Sequence, residues 1–174
     1  KKIGGTIEQT ELIDGVAIDY PVIKSYGGPN KIKNAKIGLI QFTIDSPNTD
    51  TDNLLVIENY AQMDKLLKEE KQFIISLCKK IKSTGCNIIL IQKSILKNSI
   101  CEFAIQILAQ MKIMLIRDIE RTDFLFIADS LGCVPIIDIE TFSADKLGLA
   151  GQVEEQNYNG QKIVVFKGIK KQCV

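Results

Sequence analysis

Oxygen-bearing side chains crowd most densely in Asp45-Ser46-Pro47-Asn48-Thr49-Asp50-Thr51-Asp52-Asn53, and the chemistry that such crowding suggests is cation binding. Taking Asn48, Asp50 and Asp52 as the first ligands of a calcium loop puts Asn53 where the tight-turn glycine belongs. It also puts Asn59 where a bidentate glutamate belongs. Asp50-Thr51-Asp52 is a bare Asp-x-Asp match, too short to specify a site, so no metal is expected. The five cysteines, Cys78, Cys86, Cys101, Cys133 and Cys173, are odd in number and form no Cys-x-x-Cys pair, which argues against a disulfide framework and against zinc. They suit a reducing, cytoplasmic compartment, and the first four are expected to be small core or helix residues. The chain has no histidine, which removes the commonest general base, metal ligand and triad member together.

Phosphate chemistry fares no better. There is no G-x-x-x-x-G-K-[ST] loop and no G-x-G-x-x-G turn. Gly148-Leu149-Ala150-Gly151 matches an RNA-binding G-x-x-G loop only in its glycines. Lys93, Arg117 and Arg121 offer cations, but charge-paired surface residues are far commoner than anion sites. With 22 basic and 21 acidic residues and a formal net charge of +1, no global field draws the chain to nucleic acid or to an anionic membrane. Its longest apolar runs fall far short of the roughly 20 residues that a membrane span needs, and no signal-like stretch precedes Gly4-Gly5. A soluble, non-enzymatic binding domain is the expectation.

The elements that would carry such a surface can be read from periodicity. At 174 residues the chain suits one domain, burying roughly 70% of its unfolded surface. A strand is predicted around Val16 and Ile18, turn residues fill Gly27-Gly28-Pro29-Asn30, and Ala35 to Ile44 is apolar enough to lie inside a sheet. The polar loop described above follows, and then a helix from Asn59 to Ser83, with Asn59 and Gln62 in capping-box positions and Gly85 as its stop. A second buried strand runs from Asn87 to Gln92. Thereafter the spacing predicts a helix over Ser94 to Lys112, a strand at Ile113 to Ile116, a helix over Thr122 to Leu131 ended by Gly132, a strand at Val134 to Ile137 and a helical turn at Ser143 to Leu147. Asn159-Gly160 predicts a hairpin between 153–158 and 162–166. This is a mixed α/β pattern.

The 94–112 helix has two faces on a wheel. Ile100, Phe103, Ala104, Ile107, Leu108 and Met111 form a core stripe. The other side, with Asn98, Cys101, Glu102, Ile105, Gln106 and Ala109, is either a solvated back or an adaptable contact surface built from amides around one exposed isoleucine.

Several longer stretches resemble the apical domain of a group II chaperonin: Lys1 to Thr6, Ala35 to Phe42, Pro47 to Asp50, Tyr60 to Asp64, Thr84 to Lys93, and Met111 to Asp118. The likeness runs through the whole chain in order, apart from a longer connection from Val22 to Asn34. It implies a layered β/β/α swivelling fold over residues 1–174, with no equatorial or intermediate domain. A helical protrusion would be inserted at about 44–71, with Ser46, Pro47, Asn48, Asp50, Asp52, Leu54, Leu55, Tyr60, Met63, Leu66 and Leu67 forming a built-in lid. It further implies a hetero-oligomeric double ring that folds polypeptides such as actin and tubulin, with ATP and magnesium bound elsewhere in the intact subunit and no cofactor in this stretch. The 94–111 helix would hold substrate through Asn98, Cys101, Glu102, Ile105, Gln106 and Ala109. A stand-alone interaction module remains the alternative, and an α/β enzyme a distant one.

Overall fold

A computed structural model describes residues 7–45, 60–95, 98–158 and 160–169. Six strands form one mixed sheet in the order β1-β6-β5-β2-β3-β4. They are β1 (Gly15–Ile18), β2 (Lys31–Ile40), β3 (Ile88–Gln92), β4 (Met114–Ile119), β5 (Gly148–Tyr158) and β6 (Gln161–Ile169). The pairs β2·β3 and β3·β4 are parallel, while β1·β6, β5·β6 and β2·β5 are antiparallel. The parallel half needs crossovers, and three helices accompany it: α1 (Tyr60–Ser83), α2 (Glu102–Gln110) and α3 (Arg121–Leu131).

Parallel strands buried on both faces read as unbroken apolar runs, and β3 shows why. Ile88 and Leu90 join Ile37, Leu39, Met114, Ile116, Phe124, Ile127, Val153 and Phe166 in the cluster that α3 covers. Ile89 and Ile91 point the other way, into a second cluster with Ile74, Leu77, Cys78 and Ile81 of α1 and Ala104 and Leu108 of α2. Cys78, Cys86 and Cys133 are buried and Cys101 is half-buried, as small apolar residues should be.

Helix ends follow local chemistry. α1 runs over the span its periodicity predicts, and past its end Gly85 takes a left-handed φ of 77° with its N–H on the Lys82 carbonyl. α3 stops at Gly132, where φ is 64°.

Three expectations need correction. The helix expected over Ser94 to Lys112 is only Glu102–Gln110. The stretch before it is claimed by extended pairing: Ile44 and Ile100 form a parallel bridge, Ile44 N–H donates to the Ser99 carbonyl at 3.1 Å, and Cys101 N–H donates to the Ile44 carbonyl at 3.1 Å. Backbone groups used in this way cannot open a helix. The strand expected at Val134 to Ile137 is a single bridge from Ile136 to Ile40, with Val134 and Ile137 turned to solvent. The strand expected as far as Ile44 ends at Ile40.

Candidate functional site

Among the described residues, no group of three cysteines or carboxylates is placed to hold a metal, and no helix is long and apolar enough to cross a membrane. What stands out is the surface formed where β3 hands the chain to α2. Lys93 N–H is tied to the Ile119 carbonyl at 2.8 Å. Beyond it Ile95 stands 98% exposed, and Asn98 is exposed at the foot of the helix. Ser99 then dives inward, only 3% exposed, and its hydroxyl donates to the Asp118 carboxylate at 2.9 Å. Asp118 sits at the end of β4 with a left-handed φ of 62°, a conformation aspartate tolerates better than most residues.

Cys101 is the residue that starts α2. Its backbone is extended and its Sγ accepts from the Ala104 N–H at 3.4 Å, so a thiol fills the role usually given to serine or aspartate. Partial burial raises its pKa above the usual thiol range, with the Ala104 hydrogen bond working against that rise. The thiol is therefore a weak nucleophile. Its place in the structure is as a cap.

The bridge between Ile44 and Ile100 fixes the phase in which α2 begins, and that phase differs from the one the wheel suggests. Ala104, Ile105 and Leu108 are the buried residues of α2. At about 100° per residue, the buried side is turned by about 75° from the expected stripe. Ile105, expected to be an exposed apolar contact, is 6% exposed and belongs to the core. The solvent side carries Glu102, Gln106 and Gln110, with Ala109 half-buried at its margin. Phe103, Ile107 and Met111, expected in the core, are half-buried at its border, one side chain per turn. The physical cause is that α2 packs against both α1 and β4, so two neighbours compete for its apolar side chains.

The surface is therefore a row of carboxylate and amides, Glu102, Gln106 and Gln110, beside an apolar ridge of Phe103, Ile107 and Met111, with Ile95 and Asn98 at its entrance. Of the six substrate-contact residues expected, Asn98, Glu102 and Gln106 are exposed, Cys101 and Ala109 are half-buried, and Ile105 lies inside. Ile95, Gln110 and the ridge were missed. An isoleucine set among polar and basic residues, in Lys93-Ser94-Ile95-Leu96-Lys97, was the signal available for the first of these.

The expected lid falls mostly beyond what can be described. Ser46, Pro47, Asn48, Asp50, Asp52, Leu54 and Leu55 lie outside the described residues, as does the side chain of Tyr60. On the first turns of α1, Met63 and Leu67 are 47% and 45% exposed and Leu66 is half-buried.

Comparison with known proteins gives a consistent picture. All of residues 1–174 match the model of the TCP-1/cpn60 chaperonin family. The T-complex protein 1 subunit delta of Schizosaccharomyces pombe is 52% identical over 170 residues, covering 98% of this chain and 32% of the relative. The subunits of the same name from Saccharomyces cerevisiae and Arabidopsis thaliana are 50% and 46% identical, with the same coverage. The chain thus spans about a third of the length of these relatives. Among solved structures, the open-state monomer of a group II chaperonin from Methanococcoides burtonii superposes with a TM-score of 0.68 at 24% identity, over 96% of this chain and 34% of that one. That likeness speaks for the fold.

Proposed function

Because the chain belongs to the TCP-1/cpn60 chaperonin family, we propose that it is the apical, polypeptide-holding domain of one subunit of a hetero-oligomeric double-ring chaperonin. The observation that carries this reading is the solvent side of α2, where Glu102, Gln106 and Gln110 run beside the half-buried Phe103, Ile107 and Met111. A non-native chain offers apolar patches and unpaired amides in no fixed order. A shallow surface of mixed polarity meets it through many small contacts without demanding a shape. Each contact is weak, and the sum rises when several such surfaces face one chamber.

Clients of the actin and tubulin class in the cytosol fit this reading. So does a lid formed by residues 44–71, supported by the exposure of Met63 and Leu67 at the start of α1. ATP and its magnesium, on the same reading, belong to the remainder of the subunit, since this chain spans about a third of the length of its relatives. Client release then follows from whatever differential affinity the two ring states have for the held chain.

The test uses the assembled chaperonin carrying Glu102→Lys and Gln106→Lys in this subunit. Capture of a denatured client should fall several-fold, while the stability of the subunit stays within about 0.5 kcal/mol, as for exposed sites generally. Unchanged capture would overturn the assignment, and a large loss of stability would show that the wrong side of α2 had been chosen. Binding of a client to the single subunit at nanomolar strength would refute the multivalent account.

A further inference from the structure

A net charge of +1 conceals a segregation of charge along the chain. Between residues 71 and 112 lie Lys71, Lys79, Lys80, Lys82, Lys93, Lys97 and Lys112, against the single acid Glu102. Part of this excess is gathered at one place in the fold, where α1 and α2 end side by side. Lys82 donates through Nζ to the Met111 carbonyl at 3.0 Å, which brings it next to Lys112. Lys36 stands on the other side, its Nζ 3.5 Å from where a Cβ on Gly85 would sit, and Gly85 N–H is bonded to the Lys82 carbonyl. Lys79 lies one turn earlier on the same side of α1 as Lys82. All four lysines are exposed, and no ion pair joins any of them to a carboxylate among the described residues.

Lysines at a helix end are ordinarily explained by the helix dipole, but the magnitudes do not balance here. Two helix C-termini present roughly half a negative charge each, about one charge in all against four ammonium groups. A surplus near three positive charges is left facing solvent. The geometry also limits what can be held. Among the described residues no arginine fork or cradle of N–H donors accompanies these lysines, so nothing here is shaped for a discrete phosphate. Four separate point charges on flexible stems suit an extended polyanion whose own charges are spaced along a chain.

We propose that Lys36, Lys79, Lys82 and Lys112 form a second contact surface, specific for acidic segments of the held polypeptide. This rests on the reading of α2 as the polypeptide-holding surface. The two surfaces are continuous, since the Met111 carbonyl that Lys82 binds closes the helix that bears the apolar ridge. A chain lying along α2 and leaving at its C-terminal end crosses the lysines. Apolar and amide contacts are then made along the helix, and acidic ones at its end.

The experiment uses the full-length subunit and two fluorescein-labelled unstructured peptides of equal length, one rich in glutamate and one of uncharged apolar and amide residues. The triple variant K79Q/K82Q/K112Q should weaken binding of the acidic peptide by about fivefold or more, and raising salt from about 50 to 200 mM should weaken it in the wild type. The uncharged peptide should bind the wild type and the triple variant alike, and K33Q/K162Q, at exposed lysines of β2 and β6, should bind both peptides as the wild type does. No binding of the acidic peptide, or binding indifferent to the triple variant, overturns the proposal while leaving uncharged-peptide binding as evidence for α2. Loss of uncharged-peptide binding in E102K/Q106K, with acidic binding kept, supports both surfaces. Displacement of the acidic peptide by an RNA oligonucleotide of the same charge at lower concentration overturns the proposal in favour of nucleic acid.

Discussion

Over its C-terminal half, α1 lays Ile74, Leu77, Cys78 and Ile81 on the sheet, none more than 6% exposed, whereas in its first turns Met63 and Leu67 stand 47% and 45% exposed. Both halves belong to one continuous helix and both carry apolar residues at helical spacing. What separates them is whether β2 and β3 lie beneath. A helix is held chiefly by the tertiary contacts of its apolar side. The later half is thus fastened to the core, while the earlier one leaves Met63 and Leu67 nearly half in solvent. Changes in the earlier half can therefore be made without costing the domain its core.

That contrast can be broken most decisively by truncating one leucine from each half. Leu77→Ala should cost about 2–5 kcal/mol of unfolding free energy, because it opens a cavity in a closed layer. Leu67→Ala should stay within about 0.5 kcal/mol. Urea unfolding of the two variants side by side decides it, and equal losses would mean that the first half is packed as well.

Alkaline titration sharpens the same contrast from inside the packed half. Burial pushes the thiol of Cys78 up from an ordinary 9.0 to about 12, and burial does the same for Cys86 and Cys133. Above pH 9 the unfolded chain ionises these thiols while the folded chain keeps its protons, so folding loses ground. Their contribution is fully present below about pH 9 and declines as pH climbs towards 12. Melting temperature followed through that window should fall, and Cys78→Ala should make the fall shallower. A slope indifferent to Cys78 would place its thiol in water.

The smallest effect belongs to the exposed half. Lys65 and Glu69 are paired at 3.8 Å, one helical turn apart, with both side chains largely in solvent. Glu69→Gln should change stability by less than about 0.5 kcal/mol and abolish any salt dependence of that increment. A larger change would reveal a partner for this stretch of α1.

Much of the architecture was legible in the residues. The Asn59–Ser83 periodicity, the stop at Gly85, the α3 end at Gly132 and the hairpin around Asn159-Gly160 each depend on contacts within a few positions, so local patterns carry them. The start of α2 was not legible. Ser99 to Cys101 pair with Ile44, more than fifty residues earlier, and no window along the chain contains both partners. The same long-range bridge set the phase of α2. The wheel identified the right helix, its buried Ala104 and Leu108 and its exposed Glu102 and Gln106, but it put Ile105 outside and sank Phe103, Ile107 and Met111 too deep.

By itself the sequence determined that this is a mixed α/β chain without histidine chemistry, with a long α1, a chaperonin-like order of motifs and a lysine-rich stretch before Glu102. Those properties follow from residue type and local spacing. Only the tertiary structure decided which side of α2 meets solvent, which half of α1 is anchored, and that Lys36, Lys82 and Lys112 stand together at the paired helix ends. Each of those depends on strands and helices distant in sequence competing for the same apolar surface, and that competition is resolved only when the sheet has formed.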